Sequence, residues 1–259
     1  MINALLWDVD GTLAETERDG HRVAFNRAFE AMGLPWRWDP QHYGDLLRVT
    51  GGRERLVADM AQRPDAPALP AERDALAREL HRLKNGFYAA LVEEGGIPLR
   101  PGVRELVDEA ESRGLRQAIV TTTSRGNVDA LLGRHFGPRW RALFGVVVCG
   151  EDVAAKKPDP EAYRLALAAL ALGPLQTLAL EDSFPGATAA RAADVPVLVT
   201  RSVYFAHDGV EGAVAIGPGL HTRRGWLPGL EAAALEDGPV RLDDLIDWHA
   251  RMEFVSHYG

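Results

Sequence analysis

Cysteine is almost absent from this sequence of 259 residues, where it occurs only at Cys149. A single cysteine cannot form a disulfide within the chain, and it cannot build a metal site from several cysteines. This usage is typical of proteins in a reducing compartment, so we expect a cytoplasmic location. The N-terminus leads directly into a strand pattern without a basic, apolar leader, so we expect no export signal.

Long hydrophobic runs and clusters of basic residues are missing as well. No stretch approaches the roughly 18 apolar residues of a membrane span. Lys and Arg total 29 against 37 Asp and Glu, so the formal net charge is -8, which disfavours a surface for nucleic acids. We therefore expect neither a membrane nor a nucleic acid as a partner. The expected partner is a small molecule, bound by a monomer.

Apolar residues make up 46% of the sequence, which is enough for one sizeable core and a small second one. From Pro101 onward, helical patterns alternate with short runs of β-forming residues. Helices are predicted at 102–113, 126–135, 159–171 and 185–193, and strands at 115–121, 145–149, 176–181 and 195–199. Such alternation builds a parallel sheet with helices on both faces. The sequence therefore predicts an α/β fold with a Rossmann-like, doubly wound parallel sheet.

Residues 16–98 follow a different pattern, in which apolar residues recur at helical spacing. Helices are predicted there at 23–32, 40–48, 52–62 and 71–93. We expect this segment to form a small all-helical domain, inserted after the first strand into a core domain of residues 1–15 and 99–259. Towards the end of the chain we expect a strand near 211–216, an irregular loop and an amphipathic helix at 242–252.

Two aspartates stand where the first apolar run, Ala4 to Trp7, ends. One residue separates Asp8 from Asp10, so their side chains start on the same face of an extended strand, and Gly11 then permits a sharp turn. Like charges this close repel unless a cation or a shared proton lies between them. We favour a hard cation such as Mg2+, although an Asp-Gly turn at a strand end is common in itself.

Polar residues also follow two later predicted strands. Thr121 begins the run Thr-Thr-Thr-Ser after the strand at 115–120, and Glu181-Asp182-Ser183 follows the strand at 177–180. In an open parallel sheet the active site lies at the carboxyl ends of the strands. Each motif alone is typical of a turn or a helix cap. Their combination at one edge of one sheet predicts a shared site.

The residues at this edge match the needs of phosphoryl transfer, which are a nucleophile, a proton donor and acceptor, hydroxyl or amide donors and positive charge. Asp8 can attack phosphorus and form an aspartyl-phosphate. Asp10 is placed as the general acid and base. Thr121 offers a hydroxyl to the phosphoryl oxygens, and Lys157 offers a positive charge. We therefore predict these four as the catalytic residues.

Three groups at the same edge can supply oxygen ligands for Mg2+. They are the carboxylates of Asp8 and Asp182 and the backbone carbonyl of Asp10. Glu181 stands beside them as a further ligand or as a residue that orients one. We predict Mg2+ as the cofactor, with water molecules completing its coordination.

The four motifs together resemble those of phosphatases of the haloacid dehalogenase superfamily. They are Asp8-Val-Asp10-Gly-Thr12, Thr121, Lys157-Pro158 and Glu181-Asp182-Ser183, and the match covers residues 1 to 205. The resemblance implies that the helical segment is the small cap of this family, which closes over the substrate and excludes water.

Further residues are similar to the CbbY type within the superfamily. They include Leu13 to Glu17, Ala24 to Asn26, Thr50 to Arg55, Thr121 to Ser124, Ala155 to Pro158 and Ala179 to Ser183. This likeness implies a phosphatase that converts xylulose 1,5-bisphosphate, an inhibitory by-product of Rubisco, to xylulose 5-phosphate. It also implies substrate-binding residues in the cap and the core, namely Glu17, His21, Tyr43, Arg53, Arg55, Thr122, Thr123, Ser124 and Arg125, with Asn127 beside them. A bisphosphate needs two sites for anions, and these basic and hydroxyl groups provide the second.

Other interpretations stay open. A β-phosphoglucomutase or a phosphoglycolate phosphatase of the same superfamily would carry the same motifs, because mutase and phosphatase share the nucleophile and the acid/base residue. The fate of the aspartyl-phosphate separates them, since a phosphatase passes the phosphoryl group to water without added sugar bisphosphate. A non-catalytic regulator that binds phosphosugars would predict a damaged motif, and none of the motifs is damaged.

Overall fold

A parallel sheet of six strands forms the centre of the molecule, for which a computed structural model describes residues 1–207, 209–229 and 238–256. The strands, in chain order, are β1 (Ala4–Trp7), β2 (Arg116–Val120), β3 (Val146–Val148), β4 (Thr177–Glu181), β5 (Val197–Thr200) and β6 (Ala215–Gly217). Their order across the sheet is β3-β2-β1-β4-β5-β6. The chain changes its direction of travel across the sheet after β3, which leaves a crevice at the carboxyl ends of the central strands.

Helices cover both faces of this sheet and form a separate group before β2. In chain order they are α1 (Arg22–Ala31), α2 (Pro40–Leu46), α3 (Gly52–Met60), α4 (Pro70–Glu93), α5 (Val103–Ser112), α6 (Arg125–Phe136), α7 (Trp140–Leu143), α8 (Glu161–Leu170), α9 (Phe184–Ala192) and α10 (Leu242–Ser256). α5, α6 and α10 pack on one face of the sheet, and α8 and α9 pack on the other. The predicted doubly wound α/β fold is confirmed. Within the described ranges, no helix is both long enough and apolar enough to cross a membrane.

Side-chain alternation along the strands divides the core of the sheet domain into two layers. In β1, Leu5 and Trp7 point to the face that carries α5 and α6, whereas Ala4 and Leu6 point to the face that carries α8 and α9. All four residues are completely buried. A parallel sheet that is covered on both faces needs apolar residues at consecutive positions, which explains the uninterrupted apolar run before Asp8.

Helices α1 to α4 form the cap, and aromatic residues fill its interior. Its fully buried rings have neighbouring centroids 4.7 to 6.5 Å apart and belong to Phe25, Phe29, Trp38 and Tyr43. This aromatic cluster is separate from the two layers around the sheet. The cap also touches the core domain where α4 packs on α6, and Asn127 donates a hydrogen bond to Asn85 there over 3.3 Å.

The chain passes between core and cap along two adjacent connections. Ala14 in the first connection forms an antiparallel bridge with Leu99 in the second. Beside this bridge, the Arg100 amide donates to the Leu13 carbonyl over 2.8 Å. The two connections therefore run side by side, and α1 to α4 occupy the chain between them. The domain limits at residues 15/16 and 98/99 stay predictions.

Most predicted elements end within two residues of their observed limits, and the exceptions lie in short or late segments. The strand predicted near 211–216 is reduced to β6, because Gly212 has a φ of +72°, which a strand does not permit. A helical turn at Glu17–His21 and helix α7 were not predicted, since four or five residues show no readable helical period. Residues 208 and 230–237, which include part of the predicted irregular loop, lie outside the described residues.

Candidate active site

Three neighbouring strands bring the predicted catalytic residues to one edge of the sheet. Asp8 follows β1, Thr121 follows β2, and Glu181 and Asp182 stand at the end of β4. The Asp8 amide donates to the Leu180 carbonyl over 3.0 Å and so continues the pairing of β1 with β4. The carboxylates consequently lie together in the crevice that the strand order creates.

Lys157 reaches this edge from the loop before α8 and lies among the carboxylates. Its Nζ donates to Asp8 Oδ1 over 2.7 Å, to Glu181 Oε1 over 2.6 Å and to the Val120 carbonyl over 2.7 Å. Burial alone would lower the pKa of Lys157, but the charges of Asp8 and Glu181 raise it above its usual value. The ammonium therefore keeps its charge, and its three donors are all engaged. Glu181 is held in turn by Tyr163, whose hydroxyl donates to Glu181 Oε1 over 2.5 Å.

Asp8, Glu181 and Asp182 form a buried acidic cluster, in which one oxygen of each residue lies within 4.8 Å of the others. Burial and the charge of Glu181 raise the pKa of Asp8 to about 8, and burial and the charge of Asp8 raise the pKa of Asp182 well above its usual value. Glu181 Oε2 has no hydrogen-bond partner among the described residues. A divalent cation between these oxygens would offset their repulsion, and a donor set of hard oxygens fits Mg2+.

Two glycines allow the backbone to approach this acidic cluster. A Cβ at Gly11, whose φ is +85°, would lie 1.9 Å from Asp182 Oδ2. A Cβ at Gly186 would lie 2.0 Å from Glu181 Oε2. Neither distance leaves room for a carbon atom, so these positions place bare backbone against the carboxylates.

The side chain of Asp10 points away from the acidic cluster and towards the cap. Asp10 Oδ1 accepts a hydrogen bond from Thr16 Oγ1 over 2.5 Å and lies 2.9 Å from His21 Nε2. The His21 ring stacks on Tyr88, with ring centroids 4.4 Å apart. Burial would raise the pKa of Asp10, but His21 and Thr16 lower it to about 2. Asp10 is therefore held as a carboxylate at neutral pH.

The cleft between cap and core consists of two adjacent compartments. Residues around the acidic cluster line the nucleophile compartment, among them Asp8, Thr122, Lys157, Asp182 and Ser183. Residues from both domains line the cap compartment, among them His21, Arg53, Lys84, Thr123, Ser124 and Lys156. Five residues line both compartments, namely Asp10, Glu17, Gly51, Arg55 and Thr122. The two compartments therefore share a wall to which both domains contribute.

Three of the predicted sugar-binding residues form one network between the compartments. The Tyr43 hydroxyl donates to Glu17 Oε2, and Arg55 Nη1 donates to the Tyr43 hydroxyl over 2.9 Å. Arg55 Nη2 lies 3.6 Å from Glu17 Oε1. Arg55 is buried, so its charge depends on Glu17 for neutralisation within the protein.

The remaining predicted substrate-binding residues lie at different depths. Thr123 and Ser124 line the cap compartment, and the buried Ser124 Oγ has no hydrogen-bond partner among the described residues. Asn127 donates to the Thr123 hydroxyl over 3.2 Å and supports it from behind. Arg53 lines the cap compartment with about half of its side chain exposed. Arg125 is not among the residues that line either compartment, and it pairs with a carboxylate at the surface.

Lys84 is a functional candidate that the sequence analysis missed. It lies on α4, only 3% exposed, and its Nζ enters the cap compartment 5.2 and 5.3 Å from the ring centroids of Phe25 and Tyr88. Burial lowers the pKa of Lys84 to about 8. The apolar spacing on α4 contains the signal, because Lys84 falls in register with Leu80, Tyr88 and Leu91 on the buried stripe.

Comparison with known proteins assigns the site to a family. The family model of haloacid dehalogenase-like hydrolases matches residues 2–194. The chain belongs to this family. The matched span contains every predicted catalytic and metal-binding residue of the hydrolase. Protein CbbY of Cereibacter sphaeroides is 43% identical over 235 residues, which make up 90% of this hydrolase and 99% of the relative.

Solved structures of a CbbY protein resemble this hydrolase over most of its length. The crystal structure of CbbY from Rhodobacter sphaeroides in complex with phosphate has a TM-score of 0.76 and 44% sequence identity, and the match covers 82% of this chain and 92% of that chain. The D10N mutant of that protein, crystallised in complex with xylulose-(1,5)bisphosphate, gives the same values. This hydrolase is a phosphatase of the CbbY type, so the resemblance found in the sequence is confirmed.

Proposed function

We propose that this phosphatase hydrolyses a sugar bisphosphate with Mg2+ as its cofactor. Its substrate would be xylulose 1,5-bisphosphate, converted to xylulose 5-phosphate and phosphate, and its role the removal of this Rubisco inhibitor by a cytoplasmic monomer. The two compartments carry the proposal, because each contains a buried lysine of its own, Lys157 in one and Lys84 in the other. The complex of the Rhodobacter sphaeroides protein with xylulose-(1,5)bisphosphate supports the choice of sugar.

In the first half of the proposed reaction, an oxygen of Asp8 forms a bond to phosphorus while the bond from phosphorus to the sugar oxygen breaks. Asp10 gives a proton to that leaving oxygen. The negative charge of the bound phosphate raises the pKa of Asp10, because like charges disfavour ionisation, so Asp10 takes up from solvent, as the substrate binds, the proton that this step needs. Lys157 holds Asp8 in place over 2.7 Å. The buried Thr121 would offer its hydroxyl to the phosphoryl oxygens, and its Oγ1 accepts a hydrogen bond from the Thr123 amide over 3.2 Å.

In the second half, water forms a bond to phosphorus while the bond from phosphorus to Asp8 breaks. Asp10 takes the proton of the attacking water. Thr16 and His21 hold Asp10 in its ionised form, which is the form that accepts a proton. The products are the sugar with one phosphate fewer and inorganic phosphate. Asp8 is again a free carboxylate, and Asp10 releases its proton to solvent when the products leave.

The ligands that would hold Mg2+ are Asp8, Asp182 and the backbone carbonyl of Asp10, with Glu181 beside them. When bound, the cation neutralises charge on the phosphoryl oxygens and favours the ionised form of Asp8. Lys157 adds a permanent positive charge 2.7 Å from Asp8 Oδ1. The positive charges of the cation and of Lys157 would together let an anionic substrate approach an acidic cluster that would otherwise repel it.

The second phosphate is proposed to bind in the cap compartment. Lys84 Nζ lies 3.4 Å from Asn85 Oδ1, which is close to the limit of a hydrogen bond. Ser124 Oγ has no partner among the described residues. Buried donors without acceptors are costly, so an anion with several oxygens would stabilise both groups. Arg55 contributes a further positive charge from the cap.

Measurement of phosphate release tests the substrate and the cation together. The esters compared are xylulose 1,5-bisphosphate, ribulose 1,5-bisphosphate, β-glucose 1,6-bisphosphate and phosphoglycolate, each with Mg2+ and with EDTA. We expect kcat/KM for the first to exceed the others by about tenfold or more, because phosphoglycolate has a single phosphate and the other two bisphosphates place their hydroxyl groups differently between the phosphates. We also expect release to stop in EDTA and to resume on addition of Mg2+.

Each alternative gives a different result in this experiment. Equal specificity constants for all four esters would contradict the choice of substrate, and release in EDTA would contradict the need for a cation. A preference for phosphoglycolate would support the phosphoglycolate phosphatase. A phosphoenzyme that persists in water and decays only when a sugar monophosphate is added would support the mutase.

Replacement of Lys84 with methionine is expected to weaken binding of the bisphosphate without changing the chemistry. Methionine keeps most of the volume but removes the charge, so KM for the bisphosphate should rise about 10- to 100-fold, which is typical for loss of a charged hydrogen bond. For p-nitrophenyl phosphate, which carries one phosphate, kcat/KM should change less than about threefold.

The matched control for this experiment is Arg82→Met. Arg82 lies on the same helix, its side chain is 67% exposed, and it pairs with Glu79 at the surface. We expect wild-type kinetics with both esters. Equal losses for the bisphosphate and the monoester in Lys84→Met would place Lys84 outside a second phosphate site.

A further inference from the structure

A short segment after β5 forms a third wall of the cleft. Residues 201–206, here named the strap, lie beyond the span that the family model matches, which ends at residue 194. The start of the strap is fixed to the core, because Arg100 Nη2 donates to the Arg201 carbonyl over 2.5 Å. The side chain of Ser202 hydrogen-bonds to Asp182 in the acidic cluster. The strap thus begins at the proposed metal ligands.

The other end of the strap contacts the cap. The Tyr204 ring packs against the Tyr43 ring at an angle of 64°, with centroids 5.9 Å apart. A Cβ at Gly44 would lie 3.1 Å from Tyr204 Cδ1, so helix α2 brings bare backbone up to this ring. Phe205 packs against the aromatic cluster of the cap and lines the nucleophile compartment together with Leu47. Two aromatic residues of the core domain therefore reach into the cap.

We propose that Tyr204 and Phe205 are positioning residues that complete the cleft for a sugar phosphate when the cap is seated on the core. This inference rests on the proposed function, since it concerns how the same cleft holds its substrate. Phe205 closes the side of the nucleophile compartment between the acidic cluster and the cap. Tyr204 acts through Tyr43, whose hydroxyl joins Glu17 and Arg55.

The packing around Tyr43 explains why this support matters. Trp38 and Phe25 hold one side of the Tyr43 ring inside the cap, and Tyr204 holds another side from the core. Without Tyr204, the ring loses an edge contact and the hydroxyl is free to shift. Because Arg55 donates to that hydroxyl, a shift of the Tyr43 ring would also move the guanidinium that lines both compartments.

Four variants test the proposal with two substrates. Tyr204→Leu removes the ring, and Phe205→Ala removes the wall of the nucleophile compartment. Tyr204→Phe keeps the ring and removes only the hydroxyl, which interacts with Arg22. Val203→Ala is the control, because Val203 lies in the same strap with 49% exposure. The substrates are the sugar phosphate with the highest kcat/KM for the wild type and p-nitrophenyl phosphate.

We expect the strap variants to change the kinetics of the sugar phosphate more than those of p-nitrophenyl phosphate. Tyr204→Leu and Phe205→Ala should raise KM for the sugar phosphate about tenfold, which corresponds to loss of an aromatic contact and the order that it imposes. For p-nitrophenyl phosphate, kcat/KM should change less than about threefold in Tyr204→Leu. Tyr204→Phe and Val203→Ala should both retain wild-type kinetics with both substrates.

Other outcomes would overturn the inference. Equal losses with both substrates in Tyr204→Leu would mean that the strap only supports the fold, and wild-type kinetics in this variant would mean that Tyr43 needs no support from the core. Failure of the proposed function is visible separately, in the wild type. A wild-type enzyme with equal constants for every ester would contradict both proposals, whereas a preference that the strap variants retain would contradict the strap proposal alone.

Discussion

An Asp8→Asn variant is expected to lose turnover of every phosphate ester by about 10^4-fold or more, because the amide oxygen cannot replace the carboxylate as a nucleophile. Phosphate release with Mg2+ over hours, at high enzyme concentration, measures the residual rate. No phosphoenzyme should form, since the proposed covalent bond is made to this residue. A residual rate within about tenfold of the wild type would assign the nucleophile to another group.

The same variant is expected to fold at least as stably as the wild type in the absence of Mg2+. Burial and Glu181 raise the folded-state pKa of Asp8 to about 8, above its usual value of 3.8. An acid whose pKa is raised on folding opposes folding above its usual value: between the two values the folded state must take up a proton, and above about 8 it must hold an unfavourable charge. Replacement of this acid by a neutral amide should therefore leave Tm unchanged or raise it at pH 7 to 8.

Thermal unfolding in EDTA measures this effect. Asp108→Asn, on the surface of α5 with 48% of its side chain exposed, provides the matched control and should keep both Tm and turnover. A marked fall in Tm for Asp8→Asn would mean that the ion pair of Asp8 with Lys157 stabilises the apo protein more than burial and repulsion destabilise it.

An Asp10→Asn variant is expected to separate the two halves of the reaction. Loss of a general acid and base costs about 10^2- to 10^4-fold in rate. p-Nitrophenyl phosphate has a leaving group that departs without a proton, so the first half should proceed while the second half stalls for want of a base. We expect a burst of close to one nitrophenolate per enzyme, followed by a slow steady rate.

Rapid mixing with optical detection measures the burst, and acid quench followed by mass spectrometry detects the phosphoenzyme. Asp19→Asn is the control, since Asp19 lies in the neighbouring helical turn and pairs with Arg18 near the surface. It should show wild-type steady-state rates. Full-speed hydrolysis of sugar phosphates by Asp10→Asn would remove the acid/base role of Asp10.

The sequence was most informative about the functional residues that directly follow a strand. Asp8, Thr121 and Asp182 each follow an apolar run, so their shared position followed from the rule that parallel strands end at one edge. Lys157 was also found by its motif, and the structure places its Nζ 2.7 Å from Asp8. Local sequence and topology were sufficient for these residues.

Residues that depend on packing between domains were harder to predict. Lys84 lies between Leu83 and Asn85 in the sequence, and only its register with the apolar stripe of α4 distinguishes it from a solvated lysine. Tyr204 and Phe205 follow β5, and no local pattern shows that they meet the cap, where Tyr204 contacts Tyr43 more than 150 residues earlier in the chain. The side-chain direction of Asp10 was likewise fixed by Thr16 and His21 rather than by its position after the strand.

The aromatic cluster inside the cap affects how enzymes of this design can diverge over generations. Substitutions on the cleft side of α2 or α3 leave the layers around the sheet untouched, because the rings of Phe29 and Trp38 supply stability within the cap itself. Substitutions in the cap can therefore change which substrates bind, while the acidic cluster and Lys157 keep the same chemistry in the core domain. The strap is an exception, since a substitution at Tyr204 or Phe205 alters the packing of the cap and the shape of the cleft at the same time.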